Sequence, residues 1–318
     1  MKNILVTLPV NEAQRARLDA AAEGCQIAYI QAGQVTVTDI AEADVIVGNV
    51  PANLIQKSER LELLQLNSAG ADAYIKPGIL AKSTVLCNAT GAYSRSVAEH
   101  AVALTLMLMK NLHVYRDDQQ VGAWVDHGTV TSPVGASVLV VGLGDIGLQY
   151  ARIMKSMGAH IIGVRRRNGA CPKEVDGVIL TSAVDEAFPW ADVIFSILPS
   201  TAATTHFYTA ERFRLMKKSA LFVNCGRGNA VDNDVLLHAL QTGEIAAAAT
   251  DVTDPEPLPP EHPLWRQKNM LITPHVAGGF HLPYTLECIV DIACENLLHW
   301  RKGEEYRNVV DFNTGYKR

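Results

Sequence analysis

The fold is decided by the stretch Val138-Leu139-Val140-Val141-Gly142-Leu143-Gly144-Asp145-Ile146-Gly147. Its four leading apolar residues predict a buried strand, and apolar residues at helical spacing over Ile146–Met157 predict a helix directly after the glycines. The spacing G-x-G-x-x-G between a strand and a helix is typical of a turn that holds a dinucleotide pyrophosphate. Gly142 permits the tight turn, Gly144 lets the backbone approach the phosphates, and Gly147 lets the helix pack closely on the strand. The contacts expected at the positive end of this helix involve Gly142, Gly144, Asp145, Ile146 and Gly147.

The next predicted strand ends in Gly163-Val164-Arg165-Arg166-Arg167. In enzymes that use NAD, an Asp or Glu about 20 residues after the glycines usually binds the ribose 2′-hydroxyl. No acid stands there in this sequence, and Arg165 occupies the position. Because a guanidinium pairs well with a phosphate, we expect NADP to be favoured over NAD, with Arg165 and Arg166 among its contacts. A solvated basic turn is the alternative interpretation.

Short apolar strands alternate with helical patterns along nearly the whole chain, which predicts parallel sheets covered by helices on both faces. A long helix, about Ser96–Tyr115, precedes the second block of strands, and a final helix, about Pro283–Arg301, follows it. We therefore expect an α/β protein with two doubly wound parallel-sheet domains. A Rossmann cofactor domain of residues 99–283 would be inserted in a flavodoxin-like substrate domain of residues 1–98 and 284–318.

A capping motif and an aperiodic segment flank the long helix. Ser96-Val97-Ala98-Glu99 matches a capping box and predicts that the helix begins there. Asp117–Pro133 has no clear periodicity and contains Trp124. We interpret this segment as an arm that lies over the surface or against a partner subunit, although an ordered loop explains the pattern equally well.

The composition argues against several classes of protein. The 318 residues carry a net charge of -5 with both signs scattered, which argues against nucleic acid or an anionic membrane as a partner. The apolar run Ala101–Met109 is too short to span a bilayer, and Ile4–Val10 is too short for the core of a signal peptide. The six cysteines include no Cys-x-x-Cys pair, so we expect reduced thiols in a cytoplasmic protein.

Three later strands end in polar segments, at the edge where open α/β sheets bind ligands. Arg227 lies between two glycines, so it can approach a ligand closely and clamp a carboxylate with two parallel hydrogen bonds. Prolines on both sides hold Glu256 in a stiff loop, and His275 ends the third segment. Reduction of a ketone needs a proton donor, and an imidazolium stabilised by a neighbouring carboxylate suits that task near neutral pH. With the cofactor motif, these three residues predict a reacting centre.

Other kinds of site have less support in the sequence. A metal site built from Glu256, His262 and His275 lacks a His pair at ligand spacing, so we expect no metal. Cys225 follows an apolar strand and precedes a glycine, which favours a backbone contact over a role as nucleophile. The neighbours Glu99-His100 point in different directions on a helix, so we expect them to fix that helix rather than to pair with each other.

Several motifs occur in one order along the chain. They are Asn67-Ser68-Ala69-Gly70-Ala71-Asp72, Val97-Ala98-Glu99-His100, Gly142 to Gly147, Cys225-Gly226-Arg227-Gly228, Glu256-Pro257-Leu258-Pro259, His262-Pro263-Leu264-Trp265 and Thr273-Pro274-His275. With them the chain resembles the D-isomer-specific 2-hydroxyacid dehydrogenases over nearly its whole length, most strongly from Val97 to Gly278. The resemblance implies that Arg227 holds the substrate carboxylate and polarises the carbonyl, that His275 is the acid/base, and that Glu256 is its partner.

The resemblance implies further contacts and an assembly. Asp251 would meet the nicotinamide end of the cofactor, and Pro199 and Thr204 would line the cofactor groove. The backbone N–H groups of Ser68, Ala69 and Gly70 would meet the substrate carboxylate. The family is commonly dimeric, with the arm at the interface, so we expect a homodimer whose domains close over the ligand. The remaining expected cofactor contacts are Cys225, Gly226, Arg227, His275 and Gly278.

The activity implied by the resemblance is reduction of a small 2-keto acid to a D-2-hydroxy acid with NAD(P)H. A glyoxylate or hydroxypyruvate reductase and a phosphoglycerate dehydrogenase are alternatives within this chemistry. A non-catalytic, NAD(P)-sensing binding protein similar to some transcriptional corepressors is an alternative of a different class. The chain departs from the family pattern at Arg165, at Thr253, where an aromatic residue is common, and at Gly279-Phe280-His281, which could shape the pocket.

Overall fold

The chain forms two compact units in a computed structural model that describes residues 1–55, 58, 60–312 and 316–317. The first unit comprises Met1–Tyr93 and Gly279–Arg318, and the second comprises Ser94–Gly278. The first unit is therefore discontinuous. Its boundaries lie slightly before the predicted ones, because the long helix already begins at Ser94 and the loop in front of the last helix stays with that helix.

Five parallel strands form the sheet of the first unit. Their order is β2-β1-β3-β4-β5, in which the chain starts in the interior of the sheet and adds strands on both sides. This is the flavodoxin-like order, and it confirms the predicted fold class of this unit. The strands are β1 Asn3–Val6, β2 Gln26–Tyr29, β3 Val45–Val47, β4 Leu63–Gln65 and β5 Val85–Cys87.

Helices cover the sheet of the first unit. The first helix begins with a capping box in which the Asn11 and Gln14 side chains each accept a hydrogen bond from the other residue's backbone N–H. The Gln14 amide also donates to Glu287 of the last helix at 2.5 Å, which links the two ends of the unit. A short antiparallel pair, β13 Val310–Asp311 and β14 Tyr316–Lys317, ends the described chain. The helices are α1 Glu12–Ala21, α2 Val37–Glu42, α3 Ala52–Ile55 and α9 Pro283–Lys302.

Seven parallel strands form the sheet of the second unit, in the order β12-β11-β10-β9-β6-β7-β8. From β6 the chain moves to one edge and then returns across β6 to the other, which is the Rossmann arrangement that the glycine motif predicted. The edge strand β8 was not predicted: its four residues are only half-buried, and their apolar run, Val178 to Leu180, is three residues long. The strands are β6 Ser137–Val141, β7 His160–Arg165, β8 Gly177–Leu180, β9 Val193–Ser196, β10 Leu221–Asn224, β11 Ala247–Thr250 and β12 Met270–Ile272.

The long helix that was predicted over Ser96–Tyr115 is two helices. They are separated at Asn111, whose φ of 53° lies in the left-handed region that ends a helix. The Met109 carbonyl accepts from Thr131 N–H at 3.0 Å instead of continuing the helix. The predicted capping box is also wrong: the helix begins two residues earlier, and the Ser96 hydroxyl donates to Ala277 O at 2.7 Å. The helices of this unit are α4 Ser94–Met109, α5 Leu112–Val121, α6 Asp145–Ser156, α7 Ala210–Leu215 and α8 Asn233–Thr242.

Aromatic side chains form much of the core of the second unit. Phe188, Phe213 and Phe222 surround Tyr208, and all four are fully buried. None of the helices in the described ranges combines the length and the apolar character needed to cross a membrane.

Candidate active site

Three neighbouring strands of the second unit bring the predicted reacting residues to one edge of the sheet. Because β10, β11 and β12 are adjacent and parallel, their carboxyl ends lie side by side. Arg227 follows β10, Glu256 follows β11 and His275 follows β12. The edge that these loops form is the one at which open α/β sheets bind ligands.

The His275 imidazole and the Glu256 carboxylate make a direct hydrogen bond. Nδ1 of His275 lies 2.8 Å from Oε2 of Glu256, and Oε1 of Glu256 accepts from the backbone N–H of Thr253 at 3.1 Å. The two side chains are 52% and 39% exposed, so both are accessible to a ligand. Because Glu256 engages Nδ1, Nε2 is the ring nitrogen that can serve a reacting group.

The backbone of His275 adopts a conformation that only its surroundings can maintain. Its φ of 54° lies in the left-handed region, which costs a residue with a Cβ about 1–2 kcal/mol. His275 N–H donates to the Asp251 carbonyl at 2.8 Å. The Asp251 carboxylate, only 2% exposed, accepts from the N–H groups of Val276 at 2.9 Å and Ala277 at 3.0 Å. Asp251 therefore lies beneath the segment that carries the imidazole and holds it in place.

The loop that carries Arg227 is tightly folded and packs on the neighbouring loop. The Asn224 side chain accepts from Gly226 N–H at 3.1 Å and donates to Arg227 O at 3.2 Å. A Cβ on Gly228 would lie 2.0 Å from the backbone carbon of Thr253, so no larger residue fits. The half-buried Arg227 side chain donates through Nη1 to Gly226 O at 2.9 Å. The loops after β10 and β11 thus fix each other's positions.

The glycine-rich turn lies between β6 and β9, where the strand order of the sheet reverses. Gly142 has a φ of 111°, and a Cβ there would lie 2.7 Å from Ile197 O. A Cβ on Gly147 would lie 2.1 Å from Gly142 O, so α6 packs directly on the turn. Around the Cβ position of Gly144, no atom of the described chain lies within 4 Å. The turn is filled by protein at two glycines and open at the third, which fits a cradle for a pyrophosphate.

The helix α6 begins at the open side of this turn. Gly144 is its N-cap, and the first N–H groups of a helix have no partner within it. Asp145 lies in the first turn and accepts a hydrogen bond from the Ser94 hydroxyl, while Ile146 is half-buried. The positive end of the helix is therefore placed where a phosphate would bind.

Three arginines are concentrated at the end of β7. Arg165 is the last residue of the strand, and its Nη2 donates to Gly169 O, so that the guanidinium lies over the turn after the strand. Its Nε is buried and has no hydrogen-bond partner among the residues that the structure describes. Arg166 and Arg167 are exposed. The patch is positively charged at the position where a dinucleotide ribose is read in this fold.

The loop after β9 is closed on itself by Thr204. The buried hydroxyl of Thr204 donates to Pro199 O at 2.6 Å and accepts from Thr201 N–H at 2.9 Å. Its side chain is thus engaged within the loop, and only the surface of the loop, including Pro199, can line a groove. Gly278, at the end of the second unit, is half-buried.

Cys225 is buried at the end of β10, and its backbone N–H donates to Ser196 O at 3.0 Å. Burial, with a smaller contribution from the negative charge of Asp251, raises the pKa of the Cys225 thiol well above its ordinary value. A thiolate is therefore strongly disfavoured there, which agrees with the expectation that Cys225 is not a nucleophile.

His262 lies apart from the His275–Glu256 pair. Its Nδ1 accepts from Leu264 N–H at 3.2 Å and so caps a short 3-10 helix, and its Nε2 lies 3.5 Å from Asp234. Within the described ranges, no group of three or more His, Cys, Asp and Glu side chains is arranged to hold a metal ion.

The predicted substrate loop, Ser68 to Gly70, lies in the first unit after β4. Each of its three carbonyls accepts a local hydrogen bond: Ser68 O from Ala89 N–H at 2.9 Å, Ala69 O from the Asn88 amide at 2.8 Å, and Gly70 O from the Ser68 hydroxyl at 2.6 Å. No hydrogen bond in the described chain uses the N–H groups of these three residues. The loop therefore presents backbone donors, which suits an anion.

His100 contacts the site in a way that the sequence reasoning missed. Its Nε2 lies 3.0 Å from the Thr273 hydroxyl and 3.7 Å from Oδ1 of Asp251. The Glu99 carboxylate lies 4.0 Å from the Arg95 guanidinium, so Glu99 and its sequence neighbour His100 contact different residues, as expected. The one signal in the sequence for this contact is that His100 ends one of the motifs that carry the family resemblance.

Comparison with known proteins identifies the family to which this chain belongs. Residues 102–277 match the model for the D-isomer specific 2-hydroxyacid dehydrogenase, NAD binding domain. Glyoxylate/hydroxypyruvate reductase B of Shigella flexneri is 30% identical over 85% of this chain and 85% of its own length. D-3-phosphoglycerate dehydrogenase of Methanocaldococcus jannaschii is 32% identical over 98% of this chain, which spans 60% of that protein.

Solved structures share the whole fold. A D-isomer specific 2-hydroxyacid dehydrogenase family protein from Aeromonas salmonicida has a TM-score of 0.86 and 31% identity, with 98% of this chain and 99% of that chain covered. A D-isomer specific 2-hydroxyacid dehydrogenase from Xanthobacter autotrophicus, solved with NADPH and MES, has a TM-score of 0.82 and 26% identity, with 99% of each chain covered. The resemblance seen in the sequence is confirmed: the chain belongs to the D-isomer-specific 2-hydroxyacid dehydrogenases, a family of NAD(P)-dependent oxidoreductases.

Proposed function

We propose that this protein reduces a small 2-keto acid to a D-2-hydroxy acid, with His275 as acid/base, Glu256 as its partner and Arg227 as the substrate clamp. One observation carries the proposal: the 2.8 Å hydrogen bond between His275 Nδ1 and Glu256 Oε2, on a sheet edge that also presents Arg227. An imidazole held by a carboxylate beside an arginine is suited to protonating a carbonyl oxygen while the carboxylate of a 2-keto acid is bound.

The reaction divides among the three side chains. When bound, the reduced nicotinamide supplies the hydride to the carbonyl carbon. Nε2 of His275 donates a proton to the carbonyl oxygen, and Glu256 stabilises the imidazolium through Nδ1 before that transfer. Arg227 pairs with the substrate carboxylate and draws electron density from the carbonyl. In the oxidative direction the same nitrogen of His275 accepts the proton.

We assign the first unit to the substrate and the second to the cofactor. The open N–H groups of Ser68, Ala69 and Gly70 support a contact with the substrate carboxylate, because their carbonyls are already engaged. The open space at Gly144 and the N-terminus of α6 support binding of the pyrophosphate. Asp251 and the loop from Pro199 to Thr204 are assigned to the nicotinamide side of the groove, together with the backbone of Cys225, Gly226 and Gly278.

We assign NADP as the favoured cofactor. Arg165 stands where an acidic residue would select NAD, and its guanidinium is held over the turn by the Gly169 carbonyl. Arg166 and Arg167 add positive charge beside it. The related structure from Xanthobacter autotrophicus was solved with NADPH, which supports the same choice.

Two substrate classes have specific support. The relative from Shigella flexneri is named a glyoxylate/hydroxypyruvate reductase, and the one from Methanocaldococcus jannaschii a D-3-phosphoglycerate dehydrogenase. We favour a small unphosphorylated 2-keto acid, because several relatives at 30% identity are named glyoxylate or glyoxylate/hydroxypyruvate reductases.

The test is a panel of substrates monitored by the near-ultraviolet absorbance of reduced nicotinamide. NADPH and NADH are each paired with glyoxylate, hydroxypyruvate, pyruvate, phenylpyruvate, a branched 2-keto acid and 3-phosphohydroxypyruvate. We expect NADPH to be oxidised with at least one unphosphorylated acid at an efficiency typical of enzymes. Turnover of the phosphorylated acid alone would favour the phosphoglycerate class. Binding of the cofactor with no turnover of any acid would favour a cofactor-sensing protein instead.

We also propose a homodimer in which α5 and the segment after it lie at the interface. Trp124 is 103% exposed and Val121 is 79% exposed, which is unusual for apolar side chains so close together. His127 holds the segment to α5 through Asp118 at 2.5 Å. Sedimentation equilibrium should show a dimer, and Trp124→Ala should weaken it, whereas a monomeric wild-type protein would contradict this assignment.

A further inference from the structure

The Asp251 carboxylate is part of a hydrogen-bonded chain that begins on α4. Oδ1 of Asp251 accepts from the Thr273 hydroxyl at 2.6 Å, in addition to the N–H groups of Val276 and Ala277. These three bonds bracket His275, because one comes from two residues before it and the others from the two residues after it. The left-handed backbone of His275 is thus held from both sides by one buried carboxylate.

The direction of each hydrogen bond in this chain follows from the donors. A hydroxyl has one proton, and a carboxylate only accepts, so the Thr273 hydroxyl must donate its hydrogen bond to Asp251. The contact of 3.0 Å between Thr273 Oγ1 and His100 Nε2 then requires His100 to donate. The chain therefore runs from His100 through Thr273 to Asp251, and each bond polarises the next.

The same face of α4 holds the other end of the His275 segment. Ser96 and His100 are four residues apart and so lie on one face of the helix. The Ser96 hydroxyl donates to Ala277 O at 2.7 Å, while His100 contacts Thr273. The segment from Thr273 to Ala277 is therefore attached to α4 at both of its ends.

We propose that Thr273 and His100 are positioning residues for the acid/base His275. They orient the Asp251 carboxylate, which fixes the N–H groups of Val276 and Ala277 and thereby aims the imidazole at Glu256. The kinetic consequence rests on the proposed function, whereas the geometric consequence does not. The hydroxyl of Thr273 is the central link, because it lies at hydrogen-bond distance from both His100 and Asp251.

The test compares isosteric variants of this link. Thr273→Val keeps the shape and removes the hydroxyl, and Thr273→Ser keeps the hydroxyl. His100→Leu removes the donor, and His100→Gln restores one at a similar reach. Thr84→Val is the matched control, because the Thr84 hydroxyl donates to Leu61 O at 2.7 Å in the first unit and is equally lost.

Two measurements are made on each full-length variant. Amide hydrogen exchange of residues 275–278 reports whether the segment is held, without any need for turnover. Steady-state kinetics with the preferred 2-keto acid report the rate. For Thr273→Val and His100→Leu we expect amide exchange to be about tenfold faster. We expect kcat to fall by about tenfold or more, because a small misplacement of a reacting group is costly, and the KM for the cofactor to stay unchanged. Thr273→Ser and His100→Gln should recover both properties, and Thr84→Val should alter neither.

The outcomes separate this inference from the proposed function. Wild-type exchange in both Thr273→Val and His100→Leu would overturn the inference, even if the wild-type protein reduced 2-keto acids. Faster exchange with unchanged kcat would overturn the positioning role for the reaction. If the wild-type protein turned over no 2-keto acid, the proposed function would fall, and the exchange data alone would decide whether this chain holds the His275 segment.

Discussion

Gly144→Ala should separate binding of the dinucleotide from folding. The added methyl group meets no atom of the described chain within 4 Å, and Gly144 has a φ of -93°, which alanine adopts without strain. Alanine is a poorer N-cap than glycine by about 0.5–1 kcal/mol, and the loss of unfolded-state freedom stabilises by about 0.4–1 kcal/mol. These effects nearly cancel, so the melting temperature should move by no more than about 4 °C.

The affinity of Gly144→Ala for NADPH should fall much further than its stability. The methyl group would occupy the space through which the backbone approaches the pyrophosphate. Loss of one hydrogen bond to a charged group costs about 1.5–3 kcal/mol, which corresponds to about a 10- to 100-fold higher Kd. The assay is titration calorimetry with NADPH, alongside thermal melting without ligand.

Two further glycines serve as controls for this prediction. At Gly33 the surroundings are equally open, so Gly33→Ala should leave Kd unchanged and raise the melting temperature by no more than about 4 °C. At Gly147 a Cβ would lie 2.1 Å from Gly142 O, so Gly147→Ala should lower the stability of the protein without ligand by about 1–3 kcal/mol. A wild-type Kd for Gly144→Ala would refute the placement of the pyrophosphate at this turn.

The remaining predictions concern the reacting groups, the cofactor and stability. His275→Ala should lower kcat by about a hundredfold or more at unchanged cofactor affinity, and near-normal turnover would remove it as acid/base. Arg227→Ala should abolish productive binding of 2-keto acids while NADPH still binds; an unchanged KM would contradict the clamp. Arg165→Asp should shift the ratio of kcat/KM from NADPH toward NADH, and an unaltered ratio would argue for a solvated turn. A hydrogen bond from Ile161 N–H, followed by one from the Lys155 ammonium, lowers the pKa of Asp176 below 3.8. The Asp176 carboxylate therefore stabilises the folded protein above about pH 4, and this contribution is lost as the pH falls through the lowered pKa. Asp176→Asn should therefore melt at a lower temperature at neutral pH, with the difference closing in acid; a pH-independent difference would rule out this carboxylate as the cause.

The strands and the glycine turn could be predicted because their signals are local. Buried strands such as β6 and β10 are largely apolar runs, and in the turn after β6 the close contact of Gly147 with Gly142 lies within a few residues. Strand order followed from the family and from the general rules of doubly wound sheets rather than from any pairing signal. The edge strand β8 was missed because its apolar run, Val178 to Leu180, is shorter than the runs that predict a strand.

The break in the long helix could not be predicted, because its cause is distant in sequence. Asn111 tolerates the left-handed region better than most residues, but one such residue does not by itself end a helix. The break is stabilised by Thr131, whose N–H bonds to Met109 and whose carbonyl accepts from Lys110 at 2.7 Å. Both contacts join residues more than twenty positions apart in the chain.

The partner of His100 could not be predicted for a related reason. Local sequence indicates only that His100 does not pair with its neighbour Glu99, which lies 4.0 Å from Arg95 instead. Its actual partner, Thr273, is distant in the chain. The two residues meet because α4 packs against β10 and β11, and Thr273 follows the neighbouring strand β12. A polar residue on the buried face of a helix is a weak signal until the sheet under that helix is known.

The reacting residues share a principle of support. Glu256 is held by Thr253 N–H, the loop of Arg227 by the Asn224 side chain, and His275 by Asp251. Each supporting residue lies at or just beyond a strand end, so the sheet fixes the supports and the supports fix the loops. The reacting side chains themselves remain partly exposed, since a substrate must reach them. Substitutions in the supports should therefore reduce the rate by disturbing the alignment of the imidazole with its carboxylate. At Asn224 and Asp251, which are buried and hydrogen-bonded, they should also reduce the stability.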